Sequence, residues 1–462
     1  MLCMTLAEIA QVSNGIVMPA HEGVEVNGVS TDTRSLKPGN LFVALQGDRF
    51  DGHDHIDAAF AAGAAACISS RAGTESADFA TVRVPDTLSA LQHIAHAWRL
   101  KHTLPVIAIT GSNGKSTVKE MIASILNAHC EDAPDAVLAT RGNLNNQIGV
   151  PLMLCELNPS HRYAVLEAGM SHFGEISLLS RLIAPQVALI NNAGPAHLEG
   201  VGSLAGVARA KAEIFEGLDA TGTAVLNADD AFIDYWTLQL GDRRVVLFGR
   251  GASSHVRGAW TDARERAPLE VISDNSKTSV QLPIAGDHNR MNALAAAAAA
   301  LAVGVPWAPI LKGLSRCKPM AGRQTVRKGR NGVTLIDDTY NANLDSIMAG
   351  MNTLALRSGT RIVVLGHIAE QGEHSEAMHR AVGQAFRASN LDKFFATGAP
   401  MQFAVEEAGA RARWFATKGE LIAALESELT PQVSILIKGA RSAAMEEVLS
   451  ALMDSPTTME MH

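Results

Sequence analysis

Short apolar runs recur along this chain, spaced so that helical patterns fit between them. Val106–Thr110, Tyr163–Leu166, Val187–Ile190, Thr223–Leu226 and Arg244–Phe248 each read as a buried strand. Strands alternating with helices predict an α/β domain with a largely parallel sheet. Beyond Arg316 the pattern starts again with Val333–Ile336, Arg361–Leu365, Lys393–Ala396 and Ser434–Ile437. That stretch predicts a second doubly wound domain without a dinucleotide fingerprint. Ahead of both lies a region of short elements: a helix over Thr5–Val12, a strand over Leu41–Leu45, a turn at Asp51–His53 and an alanine-rich helix over Ile56–Ala66. Pro85 opens a connecting helix, Thr87–His102. With 462 residues the chain is too long for one core. The division expected is three domains, residues 1–84, 85–315 and 316–462. Ser455–His462 is expected to be a frayed tail.

The stretch that organises the chemistry is VIAITGSNGKSTVK, Val106–Lys119. It reads as strand, glycine-rich turn, helix. Gly111 and Gly114 allow a tight turn that aims backbone N–H groups of Ser112 and Asn113 at a phosphate chain, and the helix start adds partial positive charge. Lys115 would reach the β- and γ-phosphates. The Ser116 hydroxyl would ligate Mg²⁺, with Thr117 beside it. Ile109 stands where the first glycine of the usual phosphate-loop pattern would be, so only the shorter form of the pattern is present.

Composition narrows the classes. At 47% hydrophobic and 19% charged residues the chain is of ordinary globular type. A net charge of −8 argues against a nucleic-acid partner. Five scattered cysteines without a C-x-x-C pair fit free thiols in a reducing cytoplasm. The start carries no secretory pattern, and the most apolar tract, Ala293–Val303, is too short to span a bilayer. No membrane insertion is expected.

Further candidates lie at strand ends, where ligands gather in open α/β sheets. Glu167, after the strand YAVL, would hold Mg²⁺ directly or through water. His197, in NNAGPAHLEG, falls on the same rim. In VARAKAEIF, Val207, Ala210, Ile214 and Phe215 suit the core side of a helix, and Lys211 reads most simply as an exposed surface lysine. Asn289 and Asn292, in GDHNRMN, share a helix face and suit an adenine edge, although Asn289 could instead cap the helix. DDTYNAN offers Asp338, Tyr340, Asn341 and Asn343, and SILIKGAR offers Lys438 and Arg441 as substrate cations or surface charges. STDTR places Ser30, Asp32 and Arg34 together, in either a solvated loop or a polar pocket for a nucleotide or sugar.

Taken in order, TGSNGKSTVKE, NLNNQIGVP, EAGMSHFGEI, NNAGPAHLEG, VARAKAEIF, GDHNRMNALAA, DDTYNAN and KGARSAAMEE closely resemble the Mur ligases, the ATP-dependent amide ligases of peptidoglycan synthesis. The resemblance covers nearly the whole chain. DDTYNAN and STDTRSLKPGNLFVALQGDRFDGH are similar to the branch that joins D-alanyl-D-alanine to UDP-N-acetylmuramoyl-tripeptide. It implies a small N-terminal α/β domain for the UDP-sugar, a central phosphate-loop domain for ATP and Mg²⁺, and a C-terminal Rossmann-like domain. It also implies a cytoplasmic monomer. By motif, Ser116, Glu167 and His197 become Mg²⁺ ligands, and Lys211 falls where the family carries a carbamylated lysine. Asn289 and Arg323 align with nucleotide positions, Asn145 and Asn146 with substrate positions. The implied chemistry is an acyl phosphate, made from the substrate carboxylate and ATP and then attacked by the dipeptide amine. Ser116 replaces a common threonine, Met170-Ser171 a common alanine-asparagine, and His367 a common aspartate. Another Mur ligase or a folylpolyglutamate synthase is the alternative, though the Asp-Asn-Pro-Arg signature of the diaminopimelate-adding branch is missing. A GTPase-type switch is a further rival, and the chain lacks its Asn-Lys-x-Asp.

Overall fold

The five residues of Val106–Thr110 are all buried, which only a central strand covered on both faces allows. In the computed structural model, which describes residues 1–48, 50–74, 78–260, 268–273 and 276–454, this strand is the heart of a nine-stranded sheet. Tyr163–Glu167 pairs with it on one side and Val187–Ile190 on the other, both parallel. Beyond the first lies Val137–Ala139. Beyond the second lie Thr223–Asn227, Arg244–Gly249 and Val256–Ala259, all parallel. The strand order therefore reverses at Val106–Thr110, which creates a crevice at the carboxyl ends of the strands.

Alternation decides the two faces. Ile107, Ile109, Val165 and Leu189 face one core, which is closed by the helices Lys115–His129 and Asp287–Ala302. Ala108, Leu166, Ala188 and Ile190 face the other, closed by Thr87–Leu100, Glu175–Ile183 and Leu204–Ala212. The alanines of Asp287–Ala302 let that helix press against the sheet and the phosphate-loop helix. Gly313, in Trp307–Arg316, allows the same closeness, because a Cβ there would strike the Ile125 backbone.

Three local expectations change. The sheet ends in an antiparallel extension, Val256–Ala259 to Leu269–Ser273 to Ser276–Val280. Its half-buried residues carry no continuous apolar run. The helix expected over Ile56–Ala66 stops at Ala61, because Gly63 turns the chain at φ +97° and Ala66–Ser69 becomes a strand. The capping role open to Asn289 is also overturned: Gly286 is the N-cap of Asp287–Ala302. The tail Ser455–His462 lies outside the described residues.

The N-terminal region holds a five-stranded sheet, and its core is continuous with one face of the central sheet through Leu91, Ile94 and Trp98 of Thr87–Leu100. The C-terminal region is a six-stranded sheet in the order Thr325–Lys328, Thr334–Asp338, Val433–Lys438, Thr360–Leu365, Lys393–Thr397, Ala412–Phe415. All of its pairings are parallel except that of the edge strand Thr325–Lys328. No described helix is long and apolar enough to cross a membrane.

Candidate active site

A cavity of about 740 Å³ opens at the crevice, walled on one side by the phosphate loop and on the other by the C-terminal sheet. It gathers Ser112, Asn113, Gly114, Lys115, Ser116, Thr117, Asn145, Asn146, Glu167, His197, Asn289, Asn292, Arg323, Asp338, Tyr340, Asn341, Asn343 and Lys438. Gly111 contributes the carbonyl that accepts from Lys115 Nζ at 2.6 Å. Ser30, Asp32, Arg34, Lys211 and Arg441 do not line it.

Gly114 shows why the loop has its sequence. It sits at φ +80°, and a Cβ there would collide with Asn292 Oδ1 and lie 2.7 Å from Asn191 Nδ2. Those two amides belong to a chain of hydrogen bonds. Asn191 Nδ2 donates to the Asn113 carbonyl and to Asn292 Oδ1, both at 2.9 Å. Asn292 Nδ2 donates to Asn289 Oδ1 at 3.2 Å, and Asn289 Nδ2 to the Ala285 carbonyl at 2.6 Å. Asn192 adds its Oδ1 as acceptor for the Asn113 N–H at 2.9 Å. The amides thus brace the loop from behind while still lining the cavity.

Burial holds the Lys115 ammonium down to about 8; Glu167 works against that shift and Arg323 adds to it. Glu167 is 1% exposed. Its Oε2 accepts from Ser116 Oγ at 3.2 Å, whereas its buried Oε1 has no hydrogen-bond partner among the described residues. A buried carboxylate oxygen without a partner, next to a hydroxyl and a phosphate loop, is the donor set that a Mg²⁺ ion with phosphate and water ligands requires. No group of three or more His, Cys, Asp or Glu side chains among the described residues is arranged so that it could hold a metal ion. An all-protein cage is therefore not what these residues offer, and Mg²⁺ bound largely through phosphates fits them.

Lys211 corrects the expectation of an exposed lysine: it is 1% exposed. Burial, with Lys115 adding to it, pushes its ammonium well below the ordinary lysine range. The helix Leu204–Ala212 turns that face inward because Val207, Ala208 and Ala210 are all buried with it.

The C-terminal region reaches the loop directly. Arg323 Nη2 donates to Ser116 Oγ at 3.0 Å, and its guanidinium lies 4.3 Å from the Tyr340 ring centre. Asn343 caps the helix Leu344–Ala355 through Ser346 N–H, and its Nδ2 donates to Asn113 Oδ1 at 2.8 Å. Lys438, 3% exposed, pairs with Asp338 at 2.8 Å and donates to the Asn341 carbonyl at 2.8 Å. Burial raises the Asp338 carboxyl despite Lys438 beside it. Asn146 is occupied structurally, accepting from the Gly149 N–H at 2.9 Å.

Arg441 is exposed and pairs with Glu446 at 2.9 Å, away from the cavity. Arg34, 89% exposed at its side chain, forks onto Asp32, and Ser30 Oγ donates to the Asp32 carbonyl at 2.8 Å. The sequence reading missed His288, Gln324 and Asp345, which also line the cavity. Burial pushes the His288 imidazole down to about 4, with the Lys438 charge adding to it. Asn191 and Asn192 carried a usable signal, since two amides directly follow the strand Val187–Ile190.

Family models match in three blocks: "Mur ligase family, catalytic domain" over residues 25–99, "Mur ligase middle domain" over 109–300, and "Mur ligase, glutamate ligase domain" over 322–441. The chain belongs to the Mur ligase family. It is 41% identical to the UDP-N-acetylmuramoyl-tripeptide–D-alanyl-D-alanine ligase of Escherichia coli K12, over 99% of this chain and 100% of that one. Among solved structures it is similar to MurF from Acinetobacter baumannii, with TM-score 0.91, 35% identity, and coverage of 98% and 99%. It is also similar to MurF ligase from Thermotoga maritima in complex with ADP, with TM-score 0.81, 25% identity, and coverage of 92% and 97%.

Proposed function

We propose that this chain joins D-alanyl-D-alanine to UDP-N-acetylmuramoyl-tripeptide, using ATP and giving ADP and phosphate. The single observation that carries the assignment is likeness over the whole length to ligases of that name, combined with a phosphate loop that opens into one cavity shared with the C-terminal region. Membership of another branch, or a folylpolyglutamate synthase activity, is not favoured by those relatives. We place the reaction in the cytoplasm, in keeping with five free cysteines, four of them buried, and we take the chain to act as a monomer.

In this reading residues 85–315 bind ATP through Gly111, Ser112, Asn113, Gly114, Lys115, Ser116 and Thr117, with Asn289, Asn292 and Arg323 at the nucleotide. Ser116, Glu167 and His197 hold Mg²⁺, which supplies charge neutralisation at the phosphates. A substrate carboxylate oxygen attacks the γ-phosphorus, the bond to the β-phosphate oxygen breaks, and ADP leaves. The dipeptide amine then attacks the acyl carbon of the acyl phosphate, loses a proton, and expels inorganic phosphate as the amide forms. Lys115 and the loop N–H groups offset the gathering negative charge, and positioning supplies much of the rate. Lys211 acts as a carbamate: its depressed basicity leaves neutral amine to add CO₂, and the resulting anion suits a site beside Lys115 and the metal. Residues 1–84 hold the UDP-sugar with Ser30, Asp32 and Arg34. Asn145, Asn146, Asp338, Tyr340, Asn341, Asn343 and Lys438 serve the peptide and dipeptide ends.

The test is phosphate release from ATP with UDP-N-acetylmuramoyl-tripeptide, with and without D-alanyl-D-alanine. Steady turnover that requires the dipeptide supports the reading. Turnover indifferent to the dipeptide, or supported equally by glutamate, overturns it.

A further inference from the structure

Outside the loop and its amides, a further side-chain pair links the two large regions at the cavity rim. Glu370 belongs to the C-terminal region, in the loop that follows the strand Thr360–Leu365. Its Oε2 meets His197 Nδ1 across 173 positions of sequence. The backbone bond agrees, since the Glu199 N–H donates to the Glu370 carbonyl at 3.4 Å. Both partners hold left-handed backbones, His197 at φ +57° and Glu370 at φ +58°. For residues other than glycine such conformations are strained, and such residues cluster where the fold fixes a side chain for a purpose.

The loop that carries Glu370 is itself pinned. The Ala440 N–H donates to the His367 carbonyl at 3.0 Å. Two residues before Glu370, the Ile368 N–H donates to Nε2 of His379 at 3.1 Å, and the fully buried His379 imidazole meets the Ser375 carbonyl through Nδ1 at 2.6 Å. Gly372, at φ +50°, lies against Glu199, its missing Cβ 3.4 Å from Glu199 Cβ. The carboxylate is therefore delivered to His197 by a braced segment.

We propose that Glu370 is a positioning residue for the metal site: it orients the His197 imidazole from across the domain junction. A carboxylate accepts only, so Nδ1 is the donor in this pair and Nε2 is the ring nitrogen presented to a metal ion. The donor set at the phosphate loop is then complete only when the C-terminal region is docked. Metal affinity and docking become linked quantities. This inference rests on the proposed placement of Mg²⁺ at Ser116, Glu167 and His197, and the experiment separates the two.

The experiment titrates Mn²⁺ into the full chain in the presence of ADP and reads bound ion by electron paramagnetic resonance. The proteins are wild type, His197→Ala, Glu370→Ala, Glu370→Gln and the double alanine variant, each checked for native thermal unfolding. Expected is roughly tenfold weaker Mn²⁺ binding in Glu370→Ala, the low end of the range for an outer-shell partner of a metal-bound histidine. Glu370→Gln, whose amide oxygen still accepts from Nδ1, should recover part of that loss. The double variant should bind no more weakly than His197→Ala, because Glu370 acts through that ring. Weakening in His197→Ala with wild-type binding in both Glu370 variants overturns the positioning role and leaves the metal placement standing. Losses that multiply in the double variant overturn it too. Wild-type binding in His197→Ala overturns the metal placement itself, and the inference with it.

Discussion

Two bases show how environment rewrites ordinary side chains. Lys211 has the sequence context of a surface lysine, yet burial makes its ammonium costly, and Lys115 adds repulsion. A carbamate would turn the repulsion from Lys115 into attraction, and its own buried charge would need pairing, as by a metal ion. Lys211→Ala is expected to lose on the order of 10²-fold or more in turnover, the scale of losing one preorganised electrostatic group. Lys211→Arg is expected to be equally poor, and a short carboxylic acid in the assay should restore part of the alanine variant's rate alone. A fully active arginine variant would refute the carbamate. His288 gives the pH test. Its imidazole is held at about 4 in the folded chain against an ordinary 6.5. Between those values the unfolded chain binds the extra proton, so this group's stabilisation is present above pH 6.5 and is lost as pH falls toward 4. Thermal unfolding at pH 7 and 4.5 should show His288→Gln losing less stability on acidification than wild type, by on the order of 1–2 kcal/mol. An identical acid loss in both proteins would exclude the group.

At the scale of elements, the junction depends on one helix start. Asn343 caps Leu344–Ala355 through Ser346 and also donates to Asn113 in the phosphate loop. Two variants separate these jobs. Asn343→Ala loses both, so it should cost about 1 kcal/mol of stability, as helix caps do, and raise KM for ATP. Asn343→Asp keeps the cap and loses the donor; its thermal stability should stay near wild type while KM for ATP still rises. Equal KM values in the aspartate variant and wild type would show that the bridge to Asn113 is incidental. The strands that build the crevice were legible because each is a continuous apolar run buried on two faces, as Val187–Ile190 is. The antiparallel extension was not. In Leu269–Ser273 buried and half-buried residues alternate, and an exposed hairpin can show the same alternation.

Across the whole molecule, the cavity is built by residues 112–438 and takes no lining residue from the first 84. Arg34, exposed and paired with Asp32, is therefore the test of a separate role for the N-terminal region. Arg34→Ala is expected to raise KM for the UDP substrate several-fold while leaving KM for ATP within about twofold, as for the loss of one exposed charged contact. Steady-state kinetics with each substrate varied in turn checks this, and equal changes in both constants would remove Ser30, Asp32 and Arg34 from the sugar site. The continuous core shared by the N-terminal region and the central sheet gives such a site a rigid mount.

Sequence alone determined the α/β class, the phosphate loop and the family, because each is written in residues that are near neighbours along the chain. An apolar run, a glycine at a turn or a lysine after it acts within one element, so local order suffices. Tertiary structure alone decided that Lys211 is buried, that Arg441 and Arg34 stand away from the cavity, and that Asn289 braces the loop rather than capping its helix. It also decided that Glu370 meets His197, and Asn343 meets Asn113. In the last two cases the partners lie 173 and 230 positions apart. Such meetings are fixed by how sheets and helices bury their apolar faces against one another, a property of the packed whole that no stretch of sequence carries by itself.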